Sequence, residues 1–100
     1  MVVYILVVAS CPPTEMGNQA KVAMATRMEY PPYLKKLYDL GGNYNNYTLY
    51  KCEDAKLADA YRFLGQRYHK IAAQVQGYDF EMETLMETAE LVKLLELTEG

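Results

Sequence analysis

Residues 2–9 read Val-Val-Tyr-Ile-Leu-Val-Val-Ala, an unbroken apolar run rich in β-branched side chains, which predicts a strand. Val3, Ile5, Val7 and Ala9 fall on one face and Val2, Tyr4, Leu6 and Val8 on the other, so both faces must leave water. Pro12-Pro13-Thr14 then opens a helix, with Thr14 as candidate cap, that extends to about Tyr30 and stops before Pro31-Pro32. Met16, Ala20, Ala23, Met24 and Met28 form its apolar side. A second strand is expected over residues 33–40, a turn at Gly41-Gly42-Asn43, and a third strand over 44–52, together a hairpin.

The longest helix begins at Glu53-Asp54, with Asp54 as expected cap. Leu57, Tyr61, Leu64, Tyr68, Ile71 and Val75 step along it by alternating fours and threes, a one-sided stripe, and Gly77 closes it. Tyr78, Phe80 and Met82 alternate with Asp79, Glu81 and Glu83, the pattern of a half-exposed strand. Thr84 and Glu87 fit a capping box for a last helix over residues 85–97, with Ala89, Val92 and Leu95 as its inner stripe. The order strand, helix, strand, strand, helix, strand, helix predicts an α+β domain spanning residues 1–100. Such an order builds a four-stranded antiparallel sheet with two helices on one face. Because the first strand is apolar on both faces, a second copy of the chain is expected to cover the open one.

Composition narrows the function classes. The net charge is -3 and no basic cluster occurs, so the electrostatic footprint of a nucleic-acid binder is missing, and an anionic membrane surface is disfavoured. Cys11 and Cys52 lie in no metal-binding spacing and read as reduced thiols of a cytoplasmic protein, with a disulfide open if they meet in space. Val8-Ala9-Ser10-Cys11 has the outline of a lipoprotein cleavage site, but no Lys or Arg precedes it and the apolar run is short. A buried strand is the expected reading. With a single histidine, no zinc or haem site is expected, and no cofactor is called for.

Ten tyrosines against two phenylalanines and no tryptophan concentrate attention on Tyr44, Tyr47 and Tyr50, which follow the glycine turn. A tyrosine offers a ring to bury and a hydroxyl that wants a partner, which suits ligand clefts and interfaces. Period two puts Tyr44, Asn46, Thr48, Tyr50 and Cys52 on one side and Asn45, Tyr47, Leu49 and Lys51 on the other. These aromatics either pack the sheet or line a cleft in which Tyr4, Asn43, Tyr44, Asn46, Tyr50, Tyr61 and Tyr68 orient a small apolar or aromatic molecule. His69 and Tyr47 are the catalytic candidates, His69 as a general base if a substrate reaches it and otherwise a solvated residue between neighbouring cations. Asp79, Glu81 and Glu83 either guard a solvent-facing edge or become buried carboxylates beneath a partner.

The segment Gly42-Asn43-Tyr44-Asn45-Asn46-Tyr47-Thr48 resembles the Gly-His-Tyr-x-Asn-Tyr-Ser hairpin of the muconolactone isomerases, and Asp79-Phe80-Glu81-Met82-Glu83 resembles their acidic last strand. Through them the chain resembles the dimeric α+β barrel superfamily, in which two ferredoxin-like sheets face each other. The resemblance implies a homodimer and, as an alternative to simple ligand binding, a cofactor-independent isomerase or monooxygenase; an oligomerisation module without ligand is the remaining reading. Asn43 stands where that family has histidine, so the motif lacks the residue type that moves a proton near neutral pH. The haem-degrading branch needs a tryptophan that this chain lacks.

Overall fold

A computed structural model describes the backbone of residues 1–99 and the side chains of residues 1–96. The elements are β1 (Val2–Ser10), a 3-10 turn (Pro13–Glu15), α1 (Met16–Ala25), β2 (Leu34–Gly41), β3 (Asn45–Glu53), a second 3-10 turn (Asp54–Lys56), α2 (Leu57–Ala72), β4 (Asp79–Leu85) and α3 (Thr88–Glu99). The four strands form one antiparallel sheet in the order β2-β3-β1-β4, a topology compatible with a ferredoxin-like fold.

The double-sided apolar run of β1 explains its central place. Val3, Ile5, Val7 and Ala9 are buried beneath α1 and α2, in one core with Val22, Tyr50, Cys52, Ala60, Leu64, Tyr68, Ile71 and Val75. Val2, Tyr4, Leu6 and Val8, on the opposite face, are only half-buried. Register fixes their neighbours: Leu6 lies opposite Leu49 and Glu83, and Val8 opposite Tyr47 and Glu81. The sheet therefore has a packed face and an apolar-centred face that no helix covers among the described residues.

The helix ends correct the sequence expectations. Neither Thr14 nor Asp54 makes a side-chain cap bond; each lies in a 3-10 turn that leads into its helix. Asp54 instead accepts from the N-terminal amine of Met1 at 3.4 Å. The first helix also stops at Ala25, well short of Tyr30, because Thr26 and Arg67 engage its last carbonyls. The Thr26 hydroxyl donates to Val22 O at 2.7 Å, and the Arg67 guanidinium donates to Ala23 O at 3.1 Å and Thr26 O at 2.9 Å. Its inner side is Val22 with half-buried Gln19 and Ala23, while Met24 is 72% exposed and Met16 51%. Met16 and Met24 thus point outward, because burial of Val22 sets the rotation of the helix, and Met28 lies half-buried beyond its end.

The last helix departs furthest. Thr84 belongs to β4 and its hydroxyl bonds that of Tyr61, so the capping box does not form. The helix starts at Thr88, and its expected inner stripe is exposed: Val92 at 45% and Leu95 at 53%, with Ala89 exposed too. The chain is correspondingly long, with extents of 52 × 28 × 19 Å and a radius of gyration of 15.4 Å, against about 13 Å for a compact chain of this length.

One turn requires glycine. Gly77 adopts φ of +77°, and an added Cβ would sit 2.7 Å from the Pro12 ring. Both effects oppose any side chain there, so Gly77→Ala should lower unfolding free energy by about 1–3 kcal/mol. Urea denaturation with an unchanged midpoint would show that this junction of β4 with the Pro12 turn yields freely.

Candidate functional site

The packed face of the sheet does not close completely. Between the β2–β3 hairpin, the start of α1 and the middle of α2 lies a cleft of about 270 Å³, open on one side. Its floor comes from β1 and β3, whose inward positions Ala9, Asn46, Thr48 and Tyr50 share one face by register. Its walls are Tyr30, from the loop after α1, and Tyr68 and Arg67 from α2; Tyr78, from the turn before β4, also lines it. Asn43 and Tyr44 form the lip, the latter 78% exposed.

Three tyrosine hydroxyls form a chain at the base. The Tyr50 hydroxyl lies 2.9 Å from that of Tyr68 and 3.4 Å from that of Tyr30. Beside them Asp39 collects donors. The Asn46 amide donates to Asp39 Oδ1 at 3.0 Å, the Thr48 hydroxyl donates to the same oxygen at 3.5 Å, and Lys36 pairs with Oδ2 at 3.5 Å. The Asn46 amide also donates to the Thr48 hydroxyl at 3.2 Å. Lys36 reaches this face by alternation with buried Leu34, and Asp39 because a bulge between Lys36 and Tyr38 resets the register of β2.

Burial, followed by the adjacent Tyr68 hydroxyl, pushes the Tyr50 phenol far above its ordinary range. Burial raises Tyr68 as well, partly offset by hydrogen bonds with Tyr50 and Thr48, and raises Tyr78 against the opposing pull of Arg67. Such phenols stay neutral near pH 7 and act as hydrogen-bond donors and acceptors, not as bases. Burial likewise raises the Cys52 thiol, which is free, as is Cys11.

Of the residues picked from the sequence, the cleft brings together Asn43, Tyr44, Asn46, Tyr50 and Tyr68. The others lie elsewhere. Tyr4 is on the uncovered face, where its hydroxyl donates to Glu87 at 3.4 Å. Tyr47 is on that face too and accepts from the Asn45 amide at 3.3 Å. Tyr61 is engaged with Thr84, and His69 is exposed, edge-on to Phe80 at 5.1 Å between ring centroids. Asp79, Glu81 and Glu83 are exposed on the uncovered face. Sequence reasoning missed Tyr30, Asp39, Arg67 and Tyr78. Arg67 precedes a buried tyrosine on α2, the one local signal available; the others arrive from loops and from a bulged strand that no periodicity marks.

Among the described residues, no three His, Cys, Asp or Glu side chains group as a metal site, and no helix is long and apolar enough to cross a membrane. Comparison with protein-family models, with curated proteins and with solved structures finds no match to this chain.

Proposed function

We propose that the protein is a homodimer whose protomers each bind a small, largely apolar or aromatic molecule in the tyrosine-lined cleft. The observation that carries the binding reading is the Tyr30–Tyr50–Tyr68 hydroxyl chain at the base of an open cleft. Hydroxyls that bond one another, instead of backbone, keep spare donor and acceptor capacity for a ligand. Aromatic and aliphatic walls from Tyr30, Tyr68 and Ile71 supply the apolar contact. A volume of about 270 Å³ lies at the small end of the ~300–1,000 Å³ typical of ligand pockets and suits a molecule of one or two rings. Binding is favoured over turnover because the candidate base His69 stands outside the cleft and the buried phenols are held neutral.

The dimer reading rests on the uncovered sheet face. Its centre is Tyr4, Leu6, Val8, Leu49 and Tyr47; one lateral edge carries Asp79, Glu81 and Glu83, and the β2–β3 side carries Lys35 and Lys51. A two-fold axis parallel to the strands would lay apolar centre on apolar centre and bring the acidic edge toward the partner's lysines. That arrangement is self-complementary, as a two-fold interface must be.

Two measurements test the proposal. Native mass spectrometry should give twice the 11.4 kDa of the chain; a single-chain mass at micromolar concentration would remove the dimer. Titration with 2-naphthol, followed by nuclear magnetic resonance, should show saturable shifts at Tyr50 and Tyr68. Tyr50→Phe should weaken that binding by about three- to tenfold, the range expected for one neutral hydrogen bond. Shifts confined to the uncovered face would place the aromatic site elsewhere.

A further inference from the structure

We infer that the ligand of this cleft carries an anionic group, a carboxylate or phosphate, held by Arg67 with support from Arg27 and Lys36. The inference rests on the cleft being a binding site and adds the charge of what it binds. Arg67 is half-buried on α2. Its Nη1 donates to the carbonyl and the hydroxyl of Thr26, both at 2.9 Å, and its Nη2 donates to Ala23 O at 3.1 Å. These bonds close the end of α1 and account for three of the five N–H groups of a guanidinium. The Nε–H and one Nη2–H remain without a partner among the described residues.

No carboxylate oxygen lies within 4.0 Å of Arg67 among the described residues, so its charge is not locally matched. Asp39, the acid of the cleft, is already engaged by Lys36, Asn46 and Thr48. Beside the cleft opens a second hollow lined by Arg27, Met28, Glu29, Tyr30, Lys36 and Arg67. Tyr30, Lys36 and Arg67 border both spaces. Three cations, one of them (Lys36) paired with Asp39, against Glu29 thus stand at one end of an aromatic-walled cleft. An oxyanion there would meet charge-assisted donors from a guanidinium that α1 already holds in place. The flat apolar body attached to it would lie toward Tyr50, Tyr68 and Ile71. Closing α1 explains the three bonds Arg67 makes, and Asp39 accounts for Lys36; neither explains why Arg27 borders the same hollow.

The test compares three ring-matched probes on the full chain: 2-naphthol, 2-naphthoate and 2-naphthyl phosphate, by calorimetric titration at pH 7. One or both anions should bind at least about tenfold tighter than the neutral alcohol, and the tighter of the two identifies the head group. That preference should shrink as salt is raised. Arg67→Gln keeps an amide able to donate to the α1 carbonyls while removing the charge, and should abolish the preference. If circular dichroism shows that variant unfolded, the double variant Arg27→Gln, Lys36→Gln must reduce the preference at least about threefold for the inference to stand. Equal affinity for alcohol and anions would overturn the anion inference and leave the aromatic site intact. Absence of binding by all three would overturn both.

Discussion

Leu6→Asp should turn the protein into a monomer at concentrations where the native chain is a dimer. Leu6 sits at the middle of the uncovered sheet face, opposite Leu49 on one side and Glu83 on the other. In a single chain this position is half-buried and borders water, so an aspartate there would be tolerated. Under a second sheet it would have to lose its hydration beside Glu83, with no cation directly opposite it on β3 or β4. Desolvating an unpaired carboxylate costs several kcal/mol, and a two-fold interface incurs the cost twice. Association should therefore weaken by more than about a thousandfold, roughly 4 kcal/mol. Light scattering and sedimentation would read this directly, with circular dichroism confirming that the monomer stays folded. A variant that remains dimeric would mean that the chain associates through another surface. The exposed residues Leu91, Val92 and Leu95 of α3 are the first place to look.

The second large effect is alkaline unfolding. Tyr50 and Tyr68 have phenol pKa values raised by burial, and Tyr78 shares the direction. In the unfolded chain a tyrosine titrates near ~10. Below that value both states hold the proton and stability is independent of pH through these groups. Above it the unfolded state loses protons that the folded state keeps, so stability falls as pH rises. Each such tyrosine contributes a slope of about 1.4 kcal/mol per pH unit. Tyr50 alone should then cost about 1.4 kcal/mol by pH 11, with Tyr68 and Cys52, both also raised, adding to the loss. Urea unfolding at pH 8, 10 and 11 measures the slope, and Tyr50→Phe should make it shallower by one group's share. Phenolate absorbance from the buried pair should appear together with loss of near-ultraviolet circular dichroism. Stability that stays level to pH 11, or phenolate formation within an intact fold, would show that the hydroxyl chain is open to solvent.

The sheet was legible in the chain because strand burial is a local pattern. An apolar run on both faces demands a central strand, and β1 lies between β3 and β4. Period two divided the three tyrosines after the turn correctly, leaving Tyr47 on the uncovered face and Tyr50 in the core. Helix faces were less legible. The stripe on α2 is long and one-sided, and Leu64, Tyr68 and Ile71 are buried as expected; Val75 is buried too, but beyond the helix, which ends at Ala72 and not at Gly77. On α1 the methionines outweighed Val22 as a signal, yet the small branched residue is the one that fits against the sheet. On α3 a stripe was visible, but a stripe is buried only where a surface exists to receive it.

The sequence by itself determined the order of elements, the two-sidedness of the sheet and the abundance of tyrosine, since these follow from backbone periodicity and side-chain type. Only the tertiary structure decided which tyrosines meet. Tyr30, Tyr50, Tyr68 and Tyr78 come from a loop, a strand, a helix and a turn, separated by up to 48 positions between Tyr30 and Tyr78. Their convergence, like that of Arg67 on the end of α1, depends on how two helices cross one face of a sheet. No local pattern encodes that crossing, because it is set by packing across the whole core.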